Sequence, residues 1–250
     1  MALLAGGGTD IAARLAGSMT VLQFAIGALN DLVDAPADAA RRTKPIPTGV
    51  VSVGEARTLA VTCAALGIGI ASSVSLGVAV LGLVVLAIGA SYDLAAKGTA
   101  WSWLPFAIGI PILPVYGWFG ATGTLPPFFA VLVPMAVLAG AALAIANARS
   151  DLDTDDASST PSVASRLGDE RAWRVHALLW LVTLGVAVAW LVAAGAPSLG
   201  VAGVVAIALL LGAVVSRARG SLGRRRRWAW ELEAALAAAA LVVWLVAVLA

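Results

Sequence analysis

Eight apolar runs divide this 250-residue chain, lying near 10–30, 52–72, 75–92, 102–120, 127–147, 175–195, 199–215 and 231–250. Their lengths cluster at about 18 to 22 residues, which is what an α-helix needs to cross the hydrocarbon core of a bilayer. Lipid offers no water to a peptide group, so a spanning segment must satisfy its own N–H and C=O groups, and a single run does so only as a helix. Composition agrees: 61% of the residues are hydrophobic and 12% charged, with a mean hydropathy of +0.96, far from the balance of a soluble domain. The expected fold is an all-α integral membrane protein, a bundle of about eight transmembrane helices forming one membrane-embedded domain over 1–250. Ala, Gly, Leu and Val fill the runs, and small residues let helices approach closely where the hydrophobic effect no longer drives their association. Cys63 is the only cysteine, which excludes an intrachain disulfide, and its place inside an apolar run marks it as a packing residue. The opening residues lack the charged region of a cleavable signal peptide.

The breaks between runs alternate in character. Those near Ser72-Ser73, 122–127 and 196–198 carry no charge, whereas those near 31–51, 93–101, 148–174 and 216–230 carry nearly all of it. Of the 16 Lys and Arg residues only Arg14 falls outside those polar segments and the adjoining helix ends, and of the 14 carboxylates only Asp10 does. Every second loop lies on the same side of a membrane, and the side rich in Lys and Arg is the cytoplasmic one. The net charge of +2 and the pI near 9.1 arise from those basic loops and give no reason to expect a nucleic-acid partner. Arg217, Arg219 and the run Arg224–Arg227 read as a topology anchor in contact with anionic lipid. Trp101, Trp103, Trp118 and Trp228 fall near span ends, where interfacial aromatic belts form. His176, at the start of a span, reads as a packing or interfacial residue.

Two segments carry chemistry. Asn30-x3-Asp34-x3-Asp38 and Asn147-x3-Asp151-x3-Asp155 repeat one pattern, and each sits where an apolar run gives way to charge, on the face assigned to the cytoplasm. A four-residue spacing stacks side chains on one helix face, roughly 6 Å apart along the axis. Oxygen ligands so placed suit a hard cation such as Mg²⁺, and two such sets at span ends point to a diphosphate held through Mg²⁺ at the membrane edge. Pro36 argues against an unbroken helix through the first set. Asp31, Asp153 and Asp156 crowd the two sets as metal ligands or as solvated neighbours, and Arg149 and Arg166 neutralise the second acidic segment.

The first set continues through Arg41-Arg42-Thr-Lys44-Pro45-Ile-Pro47-Thr-Gly49 to Ser52. Asn-Asp-x2-Asp-x3-Asp followed by a basic residue, Pro-Ile-Pro-x-Gly and a Ser resembles the first signature of the UbiA-type intramembrane prenyltransferases. The second set, running on to Ser165-Arg166-Leu167-Gly168, resembles that family's second aspartate motif, and Tyr92-Asp93-Leu-Ala-Ala-Lys97 resembles its Tyr…Lys segment. The resemblance implies Mg²⁺-dependent transfer of an isoprenyl group from an allylic prenyl diphosphate to an acceptor within the membrane. Asn30, Asp34 and Asp38 would serve one Mg²⁺, and Asp151 and Asp155 the other with Asn147 in support. Lys97 and one of Arg41 or Arg42 would contact the diphosphate, with Lys44 assisting. Tyr92 has two readings, a ring face for the carbocation or an interfacial anchor. The motif segments, 31–51 and 148–174, would be cytoplasmic, and the apolar spans would hold the prenyl tail.

The chain departs from the family pattern twice. The spacer between Asp38 and the basic residue before Pro45 is one residue short, which leaves Arg41 and Arg42 interchangeable. Family members have nine spans with the first motif after the second, whereas here it follows the first, so one N-terminal helix of the pattern is missing and an inactive or merely prenyl-diphosphate-binding member is the competing expectation. A CDP-alcohol phosphatidyltransferase would need an Asp-Gly-x2-Ala-Arg segment, which is absent. A cation transporter would place ionised groups near the bilayer midplane, and here they crowd the rim. The acceptor stays open among an aromatic ring, a quinone precursor, a porphyrin-type ring and a lipid-like alcohol.

Overall fold

The computed structural model describes residues 1–39, 44–152 and 162–250. Among the described residues every regular element is helical: α1 (Thr9–Asp34), α2 (Val53–Ser72), α3 (Leu76–Ser91) running into a π-helical turn (Tyr92–Ala96), α4 (Leu104–Thr122), α5 (Phe129–Ser150), the short α6 (Val163–Leu167), α7 (Asp169–Ala193), α8 (Ser198–Ala218) and α9 (Gly223–Leu249). All but α6 are long and apolar enough to cross a membrane, and each coincides with one of the eight apolar runs.

Three helices extend four residues or more beyond the apolar run that announced them. α1 continues to Asp34 rather than stopping near 30, α7 begins at Asp169 rather than near 175, and α9 begins at Gly223 rather than near 231. Hydropathy marks where a helix meets lipid, not where its hydrogen bonding stops. With 27 residues, α9 is about 40 Å long against a hydrocarbon core of about 30 Å, so its first turns carry Arg224–Arg227 past the apolar layer. Asp169 and Glu170 occupy the first turn of α7, where carboxylates complement the positive end of the helix dipole.

The helices pack as two compact units. One comprises residues 1–97 and 112–127, the other 98–111 and 128–250. In the first, α1 lies along α2, and Gly67 of α2 is so close to Leu22 that a Cβ there would come within 2.7 Å of its side chain. The Ser18 hydroxyl is fully buried; it meets the Gly67 carbonyl and the Tyr116 hydroxyl, each at 2.7 Å. A polar group in a dry interior is tolerated when it is bonded in this way. Ser52 opens α2 with a capping box: the Glu55 amide donates to Ser52 Oγ at 3.2 Å, and the Ser52 amide donates to Glu55 Oε2 at 2.8 Å.

In the second unit α5 is the central element. Residues Gly140 through Ala146 are all buried, as expected of a helix enclosed on every side. Ala142 and Leu143 pack with Trp180 of α7 and with Leu211 and Val215 of α8. His176 is buried, as a packing residue should be, and bonds Glu233 Oε2 at 2.6 Å, while Trp180 Nε1 donates to the same oxygen at 3.1 Å. Trp101 and Trp228 are exposed, in keeping with an interfacial belt, but Trp118 is only 5% exposed and belongs to the interior. Closeness to a span end does not say which side of the helix a residue occupies.

Gly140 lets α5 approach α4 closely: a Cβ there would lie 2.5 Å from the Phe106 carbonyl oxygen of α4. Gly140→Ala is expected to destabilise the protein by about 1–3 kcal/mol through overpacking, seen as a drop of several degrees in the thermal unfolding midpoint in detergent. Gly185→Ala, where a Cβ meets nothing within 4 Å, is expected to leave the midpoint unchanged.

Candidate functional site

In the first unit, the last turns of α1 present Asn30, Asp31 and Asp34. The regular helix ends at Asp34, although Ala35 still has helical backbone (φ −50°, ψ −41°); Pro36 has no N–H to return to the Leu32 carbonyl, which breaks the i→i−4 ladder there. The expected interruption is present, yet the stacking survives it. The Asp38 amide donates to the Asp34 carbonyl at 2.9 Å, which adds one further turn and brings Asp38 back into a buried position.

Beyond the undescribed residues 40–43, the Pro-Ile-Pro-x-Gly segment forms a closed turn. Thr48 and Gly49 amides donate to the Lys44 and Ile46 carbonyls at 3.2 and 3.0 Å, and Val51 returns to Pro45 at 3.2 Å. Gly49 has φ +75°, a conformation that penalises any side chain. This turn delivers Lys44, whose ammonium donates to Asp31 Oδ1 at 2.7 Å and lies 3.8 Å from Asp38 Oδ2. The Asp31 bond, against a smaller opposing effect of burial, raises the Lys44 pKa. On the lysine side the pairing is therefore retained through the usual lysine range and is lost as pH rises through the elevated value.

α3 supplies the remaining side chains. Its final turn is π-helical, closed by the Lys97 amide on the Tyr92 carbonyl at 2.8 Å. Such turns recur at functional sites because the extra residue re-aims the side chains that follow. Here Asn30 Nδ2 donates to Asp93 Oδ1 at 2.6 Å, and the Lys97 ammonium bonds Asp34 Oδ2. Tyr92 is half-buried at the start of the turn. Among the described residues, Lys44 thus lies beside Asp31 and Asp38, Lys97 bonds Asp34, and Asp93 bonds the Asn30 amide.

Asp93 was not singled out in the sequence. It is 5% exposed, and its Oδ2 has no hydrogen-bond partner among the described residues. An acidic residue between Tyr92 and Lys97, one position past an apolar run, was the available signal. The π-turn that brings Asp93 and Lys97 to bond with α1 leaves no periodicity to read.

In the second unit, Asn147 lies in the last turn of α5 and Asp151 is its C-terminal cap. Ser150 Oγ donates to the Asn147 carbonyl at 2.7 Å and lies 3.4 Å from Asp151 Oδ1. Two buried arginines hold this helix end. Arg149 Nε donates to Asp169 Oδ1 at 2.9 Å; Arg226 donates to Asp169 Oδ2 at 3.1 Å and to the Arg149 carbonyl at 2.8 Å, capping an otherwise orphaned helix carbonyl. Leu152 is buried with Val163, Ala164 and Ala172. Arg149 does neutralise an acidic group, but that group is Asp169. Arg226, taken as part of a surface anchor, is 4% exposed and structural. Asp155, Asp153, Asp156, Arg41 and Arg42 lie outside the described residues.

Among the described residues no three His, Cys, Asp or Glu side chains form a ready cage for a metal ion. Mg²⁺ does not require one, since it takes one or two carboxylates and completes its shell with phosphate oxygens and water. Asn30 Oδ1, Asp34 and Asp38 offer oxygen atoms of that kind.

The sequence profile of the UbiA prenyltransferase family matches residues 1–232. A digeranylgeranylglyceryl phosphate synthase from Methanopyrus kandleri is 39% identical over 102 residues, a stretch covering 39% of this chain and 36% of that protein. The chain therefore matches about a third of that curated relative's length. Among solved structures, a UbiA homologue from Aeropyrum pernix superposes with a TM-score of 0.74 at 19% identity, covering 97% of this chain and 92% of that one. A UbiA homologue from Archaeoglobus fulgidus bound to GPP and Mg²⁺ superposes with a TM-score of 0.70 at 17% identity, covering 96% and 89%. At these identities the likeness is one of fold.

The Asn30–Asp93 bond gives a test of the site's architecture. Asn30→Ala strips a buried carboxylate of its donor and is expected to cost about 1–3 kcal/mol, whereas Asn30→Ala combined with Asp93→Leu is expected to cost less than Asn30→Ala alone. Thermal unfolding of the three variants in detergent gives the comparison.

Proposed function

This chain belongs to the UbiA prenyltransferase family, an integral membrane family, and from that premise we propose that it transfers an isoprenyl group from an allylic prenyl diphosphate to an acceptor within the membrane, with Mg²⁺ as cofactor. Residues 1–250 act as one prenyltransferase domain whose charged rim faces the cytoplasm. The observation that carries the reading is the pairing of motif carboxylates with lysines: Asp34 with Lys97, and Asp31 with Lys44. A site that ionises a diphosphate needs oxygen ligands and fixed cations side by side, and this one holds both.

Asn30, Asp34 and Asp38 hold one Mg²⁺, and Asp151 and Asp155 the other, with Asn147 in support. Bound Mg²⁺ supplies charge stabilisation to the departing diphosphate. Lys97 is the ammonium that exchanges the Asp34 carboxylate for a phosphate oxygen, and Lys44 with Arg41 or Arg42 adds positive charge to the same leaving group. Cations held in place before reaction stabilise developing charge better than mobile water does. Asp93 keeps the Asn30 amide fixed by accepting its N–H, which leaves Oδ1 of that amide as the ligand atom. Tyr92 either turns its ring face to the allylic cation or anchors the end of α3. Among acceptors, the Methanopyrus kandleri relative favours a lipid-like alcohol as the first to try, ahead of an aromatic ring, a quinone precursor or a porphyrin-type ring.

Purified protein incubated with labelled geranyl, farnesyl and geranylgeranyl diphosphates, Mg²⁺ and an acceptor panel tests this. Diphosphate release is expected to require Mg²⁺ and to fall about a hundredfold or more in Asp34→Ala and in Asp151→Ala, the scale on which single charge-stabilising groups act. Lys97→Ala is expected to fall comparably. Release that persists at the wild-type rate in both aspartate variants overturns the proposal.

A further inference from the structure

The arginines at the α8–α9 connection divide into two sets. Arg219 pairs with Glu170, Arg226 with Asp169 and Arg227 with Glu231. Arg217, Arg224 and Arg225 have no ion pair or hydrogen bond among the described residues, and these three line a single cavity of about 680 Å³. α9 begins at the same place. Its N-cap, Leu222, offers no side-chain hydrogen bond and its first turn holds no carboxylate, so of the four consecutive arginines at the positive end of the helix dipole only Arg226 and Arg227 have acidic partners. Like charges so placed repel one another unless an anion joins them.

The cavity is also graded along the helix axes. α8 ends at Ala218 and α9 starts at Gly223, so Arg217, Arg224 and Arg225 stand at the outer end. The apolar lining residues Val214, Trp228 and Leu232 stand progressively inward, with Leu232 about 10 Å along α9 from Arg225. Trp228 is 62% exposed, as an aromatic residue at a bilayer interface is. An inorganic anion has no use for the apolar part, whereas a phospholipid fills both parts, its phosphodiester at the arginines and the start of its acyl chains against Val214 and Leu232.

We propose that Arg217, Arg224 and Arg225 form a binding site for the phosphodiester headgroup of an anionic membrane phospholipid, between the cytoplasm-assigned ends of α8 and α9. This site is separate from the motif residues assigned to prenyl diphosphate, and it stands whether or not that assignment does.

The test uses the full chain in neutral detergent, with native mass spectrometry and titration reading lipid retention for phosphatidylglycerol, for phosphatidylcholine, and for phosphatidylglycerol in the presence of millimolar inorganic phosphate. Phosphatidylglycerol is expected to be retained in preference to phosphatidylcholine and to resist displacement by inorganic phosphate. Each basic residue near an anionic headgroup is worth about a fivefold gain in affinity. R217Q/R224Q/R225Q is accordingly expected to weaken phosphatidylglycerol binding about a hundredfold, and the charge-matched R171Q/R174Q/R227Q to leave it within about twofold. If the first triple variant fails to fold, Arg217→Gln and Arg225→Gln singly, each expected to weaken binding about fivefold, decide the matter. Equal retention of the two lipids, equal loss in the two triple variants, or displacement by inorganic phosphate each overturns the proposal: the first two leave only a diffuse field, the third a free-anion site.

Discussion

A charge inside a bilayer has no water to hold it, and that constraint orders everything else in this protein. It leaves polar side chains two places to stand, at the rim or beside a partner. Ser18, packed among α1, α2 and Tyr116, takes the second course, and so does Glu233, which bonds His176 and accepts from Trp180. Glu233 is the instructive member, because it lies in a helix that spans the membrane and is nevertheless fully enclosed. Replacing either partner of such a group leaves a buried polar atom without its bond, which is why these contacts fix how helices pack even where they add little net stability.

At the rim the same constraint produces chemistry. The first motif places carboxylates at the end of α1, and α3 returns through a π-turn that sets Lys97 on Asp34 and Asp93 on Asn30. The proline-rich turn returns a second lysine to Asp31. Carboxylates and ammonium groups at bonding distance hold one another in place, so the groups on which the proposed reaction relies are positioned beforehand. Preorganisation of this kind lowers the reorganisation required at the moment of reaction.

The second motif depends on a different support. Arg149 and Arg226 are buried together and share Asp169 between them, and Arg226 also closes the carbonyl of Arg149 at the end of α5. Two guanidinium groups side by side repel, and the shared carboxylate is what makes the arrangement tenable. Arginines close together in sequence therefore do unlike work: Arg226 ties helix ends together, Arg219 and Arg227 pair at the surface, and Arg217, Arg224 and Arg225 remain for an anion.

The spans, the loop alternation and the two motifs were legible in the sequence, because the length of an apolar run and a four-residue spacing are properties of the chain's own geometry and need no neighbour to define them. The turn around Gly49 also rests on local backbone sterics, because its φ of +75° favours glycine. What tertiary structure alone decided is which groups meet. That Asp93 holds Asn30, that Trp118 faces inward while Trp101 faces out, and that Arg226 is buried while Arg225 is not follow from helix rotation and close approach. Those are settled by packing between segments far apart in sequence, and no single segment's periodicity records them.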